Sequence, residues 1–345
     1  MQMNTSKRIG FCCKWIDHPD ETAGRKPTSA SRDLNGRSTT MRWLREHKDE
    51  AEQRQWDIMN HNAAAALRMV ERVGSLPENL RMVRLGSEML QGYTQEEWID
   101  WWQQPSIQRH LESIFAPVGA RARELGVRLS FHPGQFCVLA SESDEIVERS
   151  ILEFEYHADM ARWMGYGATW HDHGFMINVH LSGRGGPAKF LRTLDKLSPE
   201  ARNLITIEND EISNGLDITL LVADRVALVL DIHHHWVNTG EYISPTDHRV
   251  QRVAESWRDI RPGMHYSVSR EDVLVDHDPR VCPDLAGLLA RGYKKQQLRA
   301  HSDFYWNSAV NEWAAGFSPQ FDIECEAKGK NLARDGFVES MKTHD

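Results

Sequence analysis

The sequence has no long apolar run, and nowhere do its hydrophobic residues continue for the ~18 positions that a bilayer span requires. Residues 1–10 contain Lys7 and Arg8 but lead into Cys12, Cys13 and Lys14 rather than an apolar segment, which argues against a signal peptide. The five cysteines (Cys12, Cys13, Cys137, Cys282 and Cys325) are odd in number and form no CxxC pair. Reduced thiols in a cytoplasm are therefore expected, and a disulfide framework is not. There is no short repeat and no Pro- or Ser-rich linker, so the expectation is one domain over residues 1–345. A basic excess is also missing: 41 Lys and Arg face 50 Asp and Glu, a net charge of −9. That sign excludes a protein that coats DNA. It is tolerable in an enzyme whose carboxylates gather on bound cations, because the ions then set the local field.

What is present is enough apolar residue for a large core, 40% hydrophobic against 26% charged. Eight short β-rich runs recur at 8–13, 82–86, 128–132, 175–180, 204–208, 227–231, 264–268 and 320–326. Several are nearly continuous in apolar residues, as strands buried on both faces of a parallel sheet are. Helical periodicity fills the intervals at 57–73, 106–125 and 144–164, with shorter stretches at 216–223 and 247–257. Strands alternating with helices imply an α/β protein. An open doubly wound sheet would carry a Gly-rich phosphate turn after an early strand, and none follows residues 8–13. The expected fold is a (β/α)8 TIM barrel with long insertions at 15–45 and 269–304, after strands one and seven.

The barrel hypothesis makes a pattern of the strand ends. Glu88 lies just beyond strand two, His132 ends strand three, His180 strand four and Glu208 strand five. Asp231 ends strand six with His234 three residues on, His265 lies on strand seven, and Glu326 ends strand eight. A barrel gathers the C-terminal ends of all its strands at one mouth. Carboxylates buried together there repel each other, and cations resolve the conflict. A donor set of imidazoles and carboxylates suits manganese, zinc or iron better than calcium or magnesium. Clustered divalent ions about 4 Å apart are suited to phosphodiester hydrolysis, in which they activate water and neutralise phosphoryl oxygens. The pattern alone leaves two reactions open, phosphoryl transfer and metal-dependent sugar isomerisation or epimerisation.

The segments RIGF, STTMRWL, RLGSEML, FHPGQF, VHLSG, IENDE, LVLDIHHH and ECEAKGK, in this order over most of the chain, resemble the ultraviolet-damage endonuclease family. The resemblance implies a barrel related to the apurinic-site nuclease endonuclease IV. It also implies three divalent ions, often manganese, and a nick immediately 5′ of an ultraviolet photoproduct in double-stranded DNA that leaves a 3′-hydroxyl. The donor set by itself is expected to hold two or three ions, with manganese first and zinc second. Carried over by motif, the ligands are His132, His180, Glu208, Asp231, His234, His265, His301 and Glu326; His301 rests on the family pattern alone. Glu88 rests instead on strand position, since the family places a His ligand where this chain has Gly92. The family probes the lesion with a Gln–Tyr pair that corresponds here to Gln135 and Phe136, an amide and an aromatic face of the kind a base wedge needs. Phe11 and Trp15 stand where the family has a Tyr and an Asn near the substrate, and Gly263 where some members have a carboxylated Lys. Glu208, His234, Glu326 and Lys328 are the expected catalytic group, with the protein acting as a monomer on damaged DNA and without a membrane.

Other eye-catching residues have plainer readings. His171 and His173 precede strand four, at the opposite rim, and are expected to be structural or solvated. His233 and His235 are expected to be non-ligating neighbours of His234. Trp98, Trp101 and Trp102 have helix-packing spacing, and Asn209, Asp210 and Glu211 read as polar loop residues beside a ligated His. Asp322 and Glu324 share the inward face of strand eight with Glu326 by period two. Lys330, Arg25, Lys26, Arg32 and Arg37 are candidate phosphate contacts beside Lys328.

Overall fold

The computed structural model describes residues 7–342. Eight parallel strands close into a barrel in sequence order. They are β1 (Ile9–Cys12), β2 (Met82–Arg84), β3 (Arg128–Phe131), β4 (Met176–His180), β5 (Ile205–Glu208), β6 (Ala227–Asp231), β7 (Gly263–Tyr266) and β8 (Asp322–Cys325). Each expected run contains or overlaps its strand. The outer helices include Lys48–Gly74, Pro105–Leu125 and Asp144–Trp163. The first begins nine residues before its Ala-rich periodic stretch, because Asp49 and Glu50 supply an acidic first turn that suits a helix N-terminus. Among the described residues no helix is long and apolar enough to cross a membrane.

Outward-facing strand residues such as Leu129, Ile177, Ile207 and Leu228 join the helices in one apolar cluster. The barrel interior is different. Branched apolar side chains usually fill this space, but here only its floor is apolar, with Met82, Met176, Ala227, Val229 and Trp257 packed together. Beside that floor Asp322 is fully buried. Its carboxylate takes hydrogen bonds from Arg128 Nη1 at 2.9 Å, Arg261 Nε at 2.7 Å and the Arg8 backbone N–H at 2.9 Å. One level up, Glu324 accepts from Ser130 Oγ at 2.8 Å and pairs with Arg84. The inward positions of β8 thus stack three acids along the barrel axis, as period two requires.

The two long insertions follow the C-terminal ends of β1 and β7, and the first packs against the helix Lys48–Gly74 through Asn35, Arg37 and Asp33. Residues 15–45 contain the helices Ser29–Leu34 and Met41–Glu46, and the segment is closed by Asn35, which bonds both the N–H and C=O of Trp15 at 2.8 and 2.7 Å. Residues 269–304 carry the helices Leu285–Ala290 and Lys295–Leu298. Leu274, Leu285, Leu288 and Leu298 form a small separate core there against Trp236 and Val237. An antiparallel bridge between Ser269 and His301 ties off the base of this insertion.

At the opposite rim His171 is buried beside Trp257, and its Nδ1 donates to Phe175 O at 2.9 Å. Burial holds this imidazole down at about 3, against an ordinary 6.5. A His more acidic in the folded than in the unfolded chain stabilises fully above pH 6.5 and loses that contribution as pH falls toward 3. His171→Asn, which tolerates the left-handed backbone at φ 41°, is expected to flatten the fall in urea-unfolding free energy between those pH values. An unchanged slope would contradict the assignment.

Candidate metal centre

The centre is built around Glu208. β5 delivers this residue fully buried at the mouth, and its neighbours come from four other strands or their ends. Glu208 Oε2 lies 3.0 Å from His265 Nδ1, 3.5 Å from His132 Nε2 and 3.9 Å from His180 Nε2, while Oε1 lies 3.1 Å from His234 Nδ1. Asn178, two residues before His180 on the inward face of β4, donates its amide to Glu208 Oε2 and is itself held by Thr206 Oγ1 at 2.9 Å. The Asp231–His234 pair is a product of local structure. Asp231 is the N-cap of the helix Ile232–Thr239, and its Oδ1 accepts the His234 N–H at 2.6 Å. The cap uses one carboxylate oxygen and leaves Oδ2 facing the cluster.

The histidines are aimed in the same way. His132 Nδ1 lies 2.8 Å from Pro133 O, His234 Nδ1 3.1 Å from Asn209 O, and His301 Nδ1 3.1 Å from Glu326 O. A carbonyl only accepts, so each Nδ1 carries a proton and each Nε2 is the atom left for a metal, the arrangement that second partners impose on metal-binding histidines. Burial favours the neutral ring in His132 and His301, while at His234 it is outweighed by Asp231, Glu208 and Glu211, which draw positive charge onto the ring. Three buried atoms of the cluster, Glu208 Oε1, Asp231 Oδ2 and His265 Nδ1, make no well-directed hydrogen bond, although imidazole nitrogens or carboxylate oxygens lie 3.0–3.6 Å from each. Buried donors and acceptors without good hydrogen bonds are costly, and their convergence fits a cation. Ligand-type atoms lie within 4.8 Å of one another in His132–His180–Glu208, in Glu208–Asp231–His265–Glu326 and in His180–Glu211–His234.

The acids outnumber the fixed cations. Glu208, Asp231, Glu324 and Glu326 share the upper barrel with Arg84, whose Nη2 reaches Glu326 Oε1 at 2.7 Å and His265 Nε2 at 2.9 Å. Burial pushes Asp231 up to about 7 although His234 opposes the shift, and Glu208 and Glu326 add to it. Burial alone would lower His265, but the Glu208 and Glu326 carboxylates outweigh it and raise the imidazole to about 9. The site takes up positive charge from whatever source offers it.

Not every expected residue belongs to this cluster. Glu88 is exposed on the loop beyond β2 and belongs to none of the ion-sized groups. β2 ends at Arg84, so the inward position at this level is a guanidinium, and the chain has left the barrel before it reaches Glu88. Phe11 is fully buried in the outer core with Arg334 over its ring, and Trp15 packs edge-on against it at 5.8 Å. Neither can meet a substrate, which corrects the expectation for both. Gln135 and Phe136 stand at the mouth, with Phe136 84% exposed. Lys328 is on the rim with its Nζ 3.6 Å from Asp303. His301 is adjacent to the cluster through its bond to Glu326 but completes none of the groups. His233 is held by Ser267 and Ser269 at 2.8 and 3.2 Å, and His235 by Glu241 at 2.9 Å, which removes both from ligation. Asn178 and Arg84 went unnoticed in the sequence, although period two from His180 marks Asn178 as inward-facing.

The family model described as UV-endonuclease UvdE matches residues 17–343. The chain belongs to this family. A UV DNA damage endonuclease from Bacillus thuringiensis subsp. konkukian is 23% identical over 312 residues, covering 86% of each chain. A UV-damage endonuclease from Neurospora crassa is 30% identical over 211 residues, 53% of this chain and 32% of that one. The solved structure described as "Crystal Structure of SacUVDE" superposes with a TM-score of 0.71 at 21% identity, over 97% of this chain and 98% of that one, which is a likeness of fold. Membership in a UV-endonuclease family decides the reaction class in favour of the nuclease over the sugar isomerase. Two departures of this UvdE member have steric explanations. A side chain at Gly92, where φ is 72°, would meet Met41 Sδ at 2.9 Å, and one at Gly263 would meet Met176 at 3.2 Å. Asn178→Ala removes the donor that orients Glu208 and is expected to weaken manganese binding about 10–100-fold, as read by calorimetric titration. Unaltered affinity would show that Glu208 needs no such support.

Proposed function

We propose that this UvdE-family endonuclease cuts the phosphodiester immediately 5′ of an ultraviolet photoproduct in double-stranded DNA, with Glu208, Asp231, His132, His180, His234, His265, His301 and Glu326 holding two or three divalent ions. The observation that carries the reading is the set of buried ligand atoms around Glu208 that lie within ion-binding distance of one another and lack well-directed hydrogen bonds. Manganese is the first choice and zinc the second, because the donors are imidazole nitrogens and carboxylate oxygens. Such ions supply Lewis acidity toward phosphoryl oxygens and lower the pKa of water.

The chain's own residues do the rest. Glu208 and Glu326 converge on one nitrogen of His265, at 3.0 and 3.5 Å from its Nδ1, and so concentrate negative charge where cations would sit. His132 and His234, with their Nδ1 protons fixed on carbonyls, direct their Nε2 atoms toward the ions and are held in place. In the hydrolysis a water oxygen bonds to phosphorus and the P–O3′ bond breaks, which leaves a 3′-hydroxyl. Lys328 is placed to meet a backbone phosphate from the rim. Gln135 and Phe136 project from the loop after β3 and serve as the wedge at displaced bases. All these ligands come from one chain, so a monomer in one domain suffices. We place it in the cytoplasm, where its cysteines, all free among the described residues, stay reduced.

Purified protein with Mn2+ is expected to nick a duplex carrying one defined pyrimidine dimer immediately 5′ of the dimer. No product at any metal loading would end the proposal. Phe136→Ala should lose about 1–3 kcal/mol of stacking on damaged DNA, visible as roughly 5–150-fold weaker lesion binding with manganese content unchanged. Manganese at a hundredfold over its dissociation constant should raise unfolding stability by about 2.7 kcal/mol, and a melting curve indifferent to Mn2+ would contradict the ligand assignment.

A further inference from the structure

The third acid of the IENDE segment, Glu211, is not among the ligands that the strand ends or the family motifs supply. Its surroundings are those of a ligand. The side chain is 10% exposed at the mouth of the barrel, and its Oε1 accepts from Arg299 Nη1 at 2.7 Å. Its Oε2 faces His234 Nε2 at 3.8 Å, beyond hydrogen-bonding range. With the ring neutral, as it is when it ligates a metal, that nitrogen is the lone-pair side, because His234 Nδ1 donates to the carbonyl of Asn209. His234 is 6% exposed. In that neutral state an acceptor looks at an acceptor at a distance too long for a hydrogen bond and wide enough for an ion, and a divalent ion between them satisfies both. A ring nitrogen of His180 completes the group, with all three atoms within 4.8 Å of one another.

The loop is built to hold this oxygen still. Asp210 Oδ1 accepts the N–H groups of Ile212 and Ser213, both at 2.7 Å, which fixes the turn, and Asn238 Nδ2 donates to Glu211 O at 3.3 Å. Arg299 comes from the 269–304 insertion, just before the Ser269–His301 bridge. The insertion thus reaches the mouth through a charged contact that orients one carboxylate oxygen and leaves the other free.

The geometry points to Glu211 as a metal ligand that holds the outermost divalent ion together with His234 and His180, with Arg299 as its positioning residue. This rests on the metal reading of the centre described above. His180 lies between this position and the one shared by His132 and Glu208, so the two positions are neighbours along the mouth.

The test is manganese stoichiometry and affinity, which need no turnover. Wild type, E211Q and R299Q are equilibrated with Mn2+, freed of unbound metal and analysed by mass spectrometry, with calorimetric titration alongside. E211Q is expected to hold one ion fewer than wild type. R299Q should keep the full number but bind its weakest ion about 10–100-fold less tightly. E211Q with wild-type stoichiometry and affinity overturns the proposal. So does identical behaviour of E211Q and R299Q, which would make the pair a loop clasp. If E211Q does not fold, unchanged affinity in R299Q overturns it equally. Wild type that binds no manganese would instead bring down the metal reading of the whole centre, a result distinct from these.

Discussion

Too much negative charge for too few fixed cations is the constraint on which the upper barrel depends. A buried carboxylate persists only when paired, hydrogen-bonded or bound to a metal. The molecule solves this problem twice with its own residues. Around Asp322 it places arginines from β3 and from the segments flanking the barrel floor; around Glu324 it places Arg84 and Ser130. At the mouth it does not. Glu208 and Asp231 are fully buried and Glu326 nearly so, and Arg84, which reaches Glu326 at 2.7 Å, is shared with Glu324 below and leaves Glu208 and Asp231 without a guanidinium partner among the described residues. Histidines stand where neutralising cations would be expected, and their lone pairs make the deficit useful.

Secondary structure provides the free atoms. The Asp231 side chain caps a helix and in doing so splits its two oxygens between fold and site. Asn209 exchanges two hydrogen bonds of 2.9 Å with the backbone of Asp231, which locks the end of β5 to the end of β6. The same Asn209 carbonyl fixes the ring of His234. Within IENDE, then, the first acid reaches into the barrel, the amide staples two strands, the second acid makes the turn, and the third returns toward His234. Removal of any of these contacts would reach the centre without touching DNA.

How much of this was legible in the sequence depends on which physical rule governed each residue. The strands were readable because strands covered on both faces are apolar throughout, and barrel closure then converts strand ends into a site. His132, His180, Glu208, Asp231 and Glu326 emerged from that logic alone. Glu88 was misread because a three-residue strand ends before the pattern around it does. Phe11 and Trp15 were misread because a family position was taken for an environment, whereas an apolar replacement at a substrate position can turn into the core. The support residues were least legible. Asn178 had a signal in its period-two relation to His180, but Arg84 and Arg299 act across 181 or more and 88 residues of chain, and no local pattern announces such pairs.

The central claim is that cations, rather than protons on histidines, neutralise the acids at the mouth. Anomalous diffraction at the manganese edge from crystals grown with Mn2+ tests it most directly. The account predicts at least two peaks bounded by Glu208, with one among Asp231, His265 and Glu326 and another beside His132. A well-ordered site with no anomalous density there would contradict it.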